Sequence, residues 1–96
     1  MAQNNDRYNL TLPYEVWNDI TISPGAKLLY GEIRHQIDKD TKDWYMLNAK
    51  ELAYKFNVTS SAVEKWIKQL KDNNFIKVVF NHGKNYPCGR CIWLKY

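Results

Sequence analysis

Hydroxyl, ammonium and carboxylate groups gather between positions 59 and 68, and the chain's recognisable chemistry starts there. Thr59, Ser60, Ser61, Glu64, Lys65 and Lys68 stand at spacings of three and four at the start of a helical pattern. Such side chains suit hydrogen bonding to base edges and phosphates better than they suit bond making. A second group follows in Lys77, His82, Lys84, Asn85, Tyr86 and Arg90, with no Asp or Glu between Phe75 and Tyr96. Catalysis has nothing comparable. Asp19 is separated by a helical pattern from Asp38 and Asp40, and neither His35 nor His82 has a Ser or Cys partner at a telling spacing. No glycine-rich phosphate loop occurs either, so an enzyme is not expected.

Cys88-Gly89-Arg90-Cys91 has the spacing used by zinc sites and redox pairs. A structural zinc needs four ligands, and His82 and His35 are the only histidines left to complete them. A redox pair would use a helix N-terminus to lower a thiol pKa, whereas this pair opens a strand pattern. Two reduced thiols at a hairpin, with no metal and no cofactor, are therefore expected. Fourteen aromatic residues (four Trp, seven Tyr, three Phe) exceed what one small core needs. Trp17, Trp44, Trp66 and Trp93 are read as core or strand-face residues, the excess leaving room for a dimer interface or a stacking platform for single strands. Tyr45, Tyr86 and Tyr96 have no evident role.

The elements that must position these groups are legible. Leu12-Pro13 followed by Tyr14, Val16, Trp17 and Ile20 predicts a short strand end entering a short helix, with Pro13 near its first turn. Ser23-Pro24 is a Ser cap followed by Pro at the first helical position, opening a helix to about Ile37 with Leu29, Ile33 and Ile37 on one stripe. Asp38-Lys39-Asp40 should then form a charged loop. Trp44 to Leu47 suits a brief strand, and Asn48 with Glu51 three residues later resembles a capping box. Then comes LAYKFNVTSSAVEKW (52–66), apolar at Leu52, Ala53, Phe56, Val58, Val63 and Trp66, with Asn57 at a turn where a left-handed backbone is expected. Thr59, Ser60 and Ser61 compete to cap the next helix, whose buried stripe is Val63, Ile67 and Leu70 and whose end lies near Asn73-Asn74. FIKVVF (75–80) and RCIWLKY (90–96) predict a hairpin with a long tip between them.

The totals are those of one globular domain: 96 residues, 45% hydrophobic and 25% charged, too rich in apolar groups to stay unfolded. Residues 1–7 read as a flexible polar N-terminus and 8–96 as the domain. A formal charge of +4 favours a polyanionic partner. No apolar run reaches the ~20 residues of a membrane span, and the N-terminus lacks the apolar core of a signal peptide. With two cysteines and no disulfide framework, a reducing cytoplasm is the expected location.

ISPGAKLLYGEI (22–33) and LNAKELAYKFNVTSSAVEKWIKQLKDNNFIKV (47–78) resemble the winged helix-turn-helix domains of Gram-positive plasmid and phage proteins. The resemblance implies an α+β fold of three to four helices with a short strand and a C-terminal β-hairpin wing, and it implies DNA binding of the kind found in replication initiators, transfer-origin accessory proteins and small regulators. Relatives usually carry Arg or Lys where this chain has Ser60 and Ser61, and a neutral or basic residue where it has Glu64. The tip of the implied recognition helix is thus neutral, and its cations lie instead in the hairpin. An Arg or Lys of the hairpin would then enter a narrow, AT-rich minor groove.

The functional expectation is sequence-specific binding of double-stranded DNA by an accessory factor at a transfer or replication origin of a plasmid or other mobile element. The second strand runs to the last residue, so no further domain is expected, which favours an accessory role over an initiator. A relaxase or replication protein is the implied protein partner, and a homodimer or repeated sites would supply specificity that one module lacks. Two alternatives stay open: a transcriptional regulator with the same DNA chemistry, and a winged-helix protein-interaction module that binds no DNA. Lys65, Lys68 and Lys71 fit phosphate contacts as well as they fit a solvated helix face, and the hairpin tip fits a soluble loop as well as it fits a DNA grip.

Overall fold

Proline and asparagine punctuate this chain, and between them a computed structural model describes residues 12–40, 42–81 and 89–95. Four helices come out in order with three strands: α1 (Tyr14–Trp17), α2 (Pro24–Asp40), β1 (Trp44–Met46), α3 (Ala49–Phe56), α4 (Ser60–Asp72), β2 (Ile76–Asn81) and β3 (Gly89–Leu94). The strands form one antiparallel sheet in the order β1-β3-β2. The architecture is α+β. No helix among the described residues is long and apolar enough to cross a membrane. The expected N-terminal segment 1–7 and the hairpin tip lie outside the described residues.

Capping sets the helix boundaries. Ser23 Oγ accepts from the Ala26 N–H at 3.2 Å, so α2 begins at Pro24 as its sequence predicts. It runs through Asp38 and Lys39 to Asp40, so the expected charged loop is helical; an Arg34–Asp38 ion pair at i,i+4 (3.5 Å) and Lys39 in the last turn favour that continuation. Asn48 Oδ1 accepts from Glu51 N at 3.1 Å, and Thr59 Oγ1 accepts from Ala62 N at 3.1 Å, which selects Thr59 among the three candidate caps.

Both helices of the α3–α4 pair end on a left-handed asparagine. Asn57 has φ 57° and ψ 48°, and Asn74 has φ 63°. Each is followed by a residue whose N–H returns to a carbonyl five positions back: Val58 to Ala53 at 2.9 Å and Phe75 to Leu70 at 2.9 Å. This is the hydrogen-bond pattern of a Schellman ending, which leaves the chain free to reverse. Asn57→Ala should therefore cost about 1–2 kcal/mol in urea unfolding, whereas Asn57→Gly should be close to neutral.

The core lies between the helices and one face of the sheet. Leu29, Tyr30 and Ile33 of α2, Leu52 of α3, Val63 and Leu70 of α4, Ile76 of β2 and Ile92 of β3 are almost wholly buried. Each such side chain stabilises the fold by roughly 1.5–3 kcal/mol. α4 packs on α2, α3 and β2, while α2 also supports β1. Polar ties fix the α2–α4 junction, where Gln69 Oε1 accepts from Ser23 N at 2.8 Å. Between α2 and α3, the buried Glu32 accepts from Lys55 at 2.7 Å and from Gln36 at 2.9 Å. Tyr45 of β1 is half-buried, and its phenol is pushed up to about 12, first by burial and then by the Glu51 and Glu32 carboxylates. Its folded-state pKa exceeds the ordinary 10.0, so stability linked to this proton is lost as pH rises from that value towards 12. An absorbance titration should show Tyr45 ionising later than an exposed tyrosine, and Tyr45→Phe should remove that late step.

The expected short helix forms as α1, but two sequence expectations fail at the N-terminal side. Leu12 and Pro13 form no strand; Pro13 caps α1 and Leu12 packs on the core. α1 stops at Trp17, and Ile20 lies beyond it, 94% exposed. Trp17 is not core: it is 61% exposed, with Lys27 Nζ bonded to its carbonyl at 2.6 Å and 5.5 Å from its ring centroid.

Candidate nucleic-acid interface

The pattern that buries Val63, Ile67 and Leu70 turns Ser60, Ser61, Glu64, Lys65 and Lys68 of α4 to solvent, and Thr59 ahead of it is exposed too. Thr59 is committed to capping, while Ser60 and Ser61 are the first two helical residues. At that end the free N–H groups and the positive end of the helix dipole favour an anion, and no acidic residue lies in the first turn. Lys65 has no carboxylate partner among the described residues. Lys68 is paired one turn on with Asp72 at 3.0 Å.

Glu64 does not stand alone beside this surface. Arg90 reaches across from β3, with Nη1 donating to Glu64 Oε1 at 2.8 Å and Nη2 to Oε2 at 2.5 Å. Those hydrogen bonds hold the Glu64 carboxyl below the usual carboxylate range against the opposing effect of burial, and they hold Arg90 more firmly protonated. Because the folded carboxyl is lowered, any stability it adds is present at neutral pH and lost as pH falls through that lowered value. Both partners are partly exposed, so the pair adds little to stability, on the order of 0–1 kcal/mol. Its importance is electrostatic: the charge of the Glu64 carboxylate near the tip of α4 is balanced by Arg90, and each of its oxygens already accepts from the guanidinium.

Two of the expected wing residues, Arg90 and Lys77, have defined surroundings. Arg90 is not a free cation of the hairpin tip; it sits in β3 opposite Phe80, and its guanidinium is engaged by Glu64. Lys77 does not join the α4 surface. It alternates with Ile76 and Val78, which pack towards the helices, so it faces the opposite side of the sheet. His82, Lys84, Asn85 and Tyr86 lie outside the described residues, as do Cys88 and Tyr96. Cys91 is buried, and among the described residues no three His, Cys, Asp or Glu side chains gather at a metal-binding spacing.

Between α4 and the sheet runs a groove of about 370 Å³, lined by Glu64, Ile67, Lys68, Lys71, Val78 and Arg90. It brings Lys71 next to the predicted cations. The Glu64–Arg90 contact was not read from the sequence. Charge complementarity between the helix and an acid-free hairpin was the available signal, but across 26 residues no periodicity selects Arg90 over Lys77 or Lys84.

The chain matches no protein-family model, no curated protein and no solved structure.

Proposed function

We propose that this chain is a winged helix-turn-helix protein that binds a specific double-stranded DNA site, with α4 as the recognition helix, as an accessory factor at a transfer or replication origin of a mobile element. One observation carries it: the first turn of α4 shows Ser60 and Ser61 to solvent and holds no acidic residue, and the charge of Glu64 in the next turn is balanced by Arg90. A helix end of this kind can approach a phosphate backbone without repulsion while Ser60, Ser61 and Lys65 reach base edges or phosphates. The sheet order, with β2 and β3 as the antiparallel pair following α4, is compatible with a wing beside that helix. The origin role follows from the resemblance in the sequence; a transcriptional regulator would use the same surface, and the position of the bound site in its replicon separates the two.

The deciding experiment is a mobility shift followed by a salt titration. With about four to six phosphate contacts, log K should fall against log salt with a slope of about −4 to −5. Absence of any duplex retention at low ionic strength would remove the proposal, and a flat salt response would favour a protein partner for α4.

Arg90 makes a sharper test. Arg90→Ala removes a cation and also uncovers the Glu64 carboxylate, so duplex affinity should fall about tenfold, more than for Lys68→Ala. Adding Glu64→Ala in that background should recover most of the loss, a coupling that a double-mutant cycle measures directly. Equal losses in the single and double variants would mean that Arg90 acts only as a phosphate contact.

A further inference from the structure

The antiparallel register collects an aromatic and cationic row on the side of the sheet turned away from the helices. Trp93 of β3 lies opposite Trp44 of β1 on one side and opposite Lys77 of β2 on the other. All three alternate with residues that pack on the core: Tyr45, Ile92, Leu94, Ile76 and Val78. Directly opposed residues hold their Cβ atoms ~4.5–5.5 Å apart, so the two indoles are neighbours. Trp93 remains 38% exposed, a large apolar ring on an open surface. Lys42 Nζ lies 5.0 Å from the Trp44 ring centroid. Lys95, bonded through its N–H to the Phe75 carbonyl at 3.0 Å, continues the β3 alternation and is exposed. The next row is Met46, Cys91 and Val79, and no carboxylate belongs to either row.

We propose that this outer face is a second binding site, which takes single-stranded nucleic acid by stacking unpaired bases on Trp93 and Trp44 while Lys77, Lys42 and Lys95 neutralise the phosphates. The choice of occupant follows from chemistry. A duplex keeps the faces of its bases inside the stack, whereas a single strand can offer a π-face to each indole. Lys77 and Lys95 flank Trp93 with no acid in either strand row, whereas Asp40 and Glu51 share a pocket with Lys42 and Trp44 at the β1 edge. The β2–β3 side of the face therefore complements a phosphate backbone and would repel a second copy of itself. The site is separate from α4, which packs against the sheet's other side, so it does not depend on duplex binding.

The test titrates the full chain with an oligothymidylate of about twelve nucleotides at low salt, following tryptophan emission. Saturable quenching is expected for the wild type. Trp93→Ala should weaken it by about tenfold and Lys77→Glu by a similar factor, while Trp93→Phe, which keeps a stacking ring, should stay within about threefold. Duplex affinity should change less than about twofold in Trp93→Ala and Trp93→Phe, because neither alters the chain's charge. Circular dichroism melting checks the fold; if Trp93→Ala unfolds, the exposed Lys77→Glu decides. No quenching in the wild type would overturn the proposal. So would oligothymidylate binding indifferent to both Trp93→Ala and Lys77→Glu, or a parallel tenfold loss of duplex binding in Trp93→Ala. Sedimentation showing a dimer that Trp93→Ala dissolves, without oligothymidylate binding, would assign the face to a second copy instead.

Discussion

Replacing Ser60 and Ser61 together by glutamate is expected to weaken duplex DNA binding by about a hundredfold while leaving the fold at least as stable. The two effects have opposite signs because the same charges meet different partners. As the first two residues of α4, both glutamates would face the helix's free N–H groups, where an acidic side chain stabilises by about 0.3–1 kcal/mol. Against DNA the same carboxylates would meet phosphates, and like charges brought together at an interface cost several kcal/mol, with every ~1.4 kcal/mol a tenfold loss. Urea unfolding and a mobility shift on the same preparation measure both. Unchanged binding alongside the stability gain would show that the tip of α4 does not face DNA.

Gly25→Ala should lower stability by about 1–3 kcal/mol, the reverse of what helix propensity alone predicts. Alanine in a helix normally improves on glycine by up to ~1 kcal/mol. At Gly25 of α2, however, an added Cβ would lie 2.3 Å from Cε2 and Cζ2 of Trp66 on α4. The indole has little room to retreat, since the Phe56 ring of α3 stands 5.7 Å from it, centroid to centroid. Relief would have to come from moving α4 relative to α2 and α3. The melting temperature should drop by roughly 5–15 °C in a domain of this size. A displaced α4 should also lose DNA affinity, although Gly25 is not among the groups proposed to touch DNA. A melting temperature that rises would mean that Trp66 swings aside freely.

Much of the fold was legible because its signals are local. The Ser23-Pro24 start, the Asn48 cap, the left-handed Asn57 and the Val63, Ile67, Leu70 stripe each involve residues within about two helical turns, the range over which helical periodicity and capping act. The choice of Thr59 over Ser60 and Ser61 as the α4 cap, by contrast, came from the structure. What failed locally failed for identifiable reasons. The Asp38-Lys39-Asp40 run was expected to be a loop because it is polar all round, yet its charges extend α2 through an i,i+4 pair. Trp17 was expected in the core or on a strand face because it is a large apolar ring, but the four-residue α1 turns Val16 inward and leaves Trp17 at the surface.

The candidate site divides in the same way. The exposure of Ser60, Ser61, Glu64, Lys65 and Lys68 follows from the helical period, which the order of residues along the chain determines by itself. The pairing of Arg90 with Glu64, the turning of Lys77 away from α4, the approach of Trp66 to Gly25 and the Trp44–Trp93–Lys77 row were decided only by tertiary structure. Each of these joins side chains far apart in sequence. Strand register and helix docking select which of several similar lysines, arginines or tryptophans meet, and neither leaves a periodic mark on a single chain.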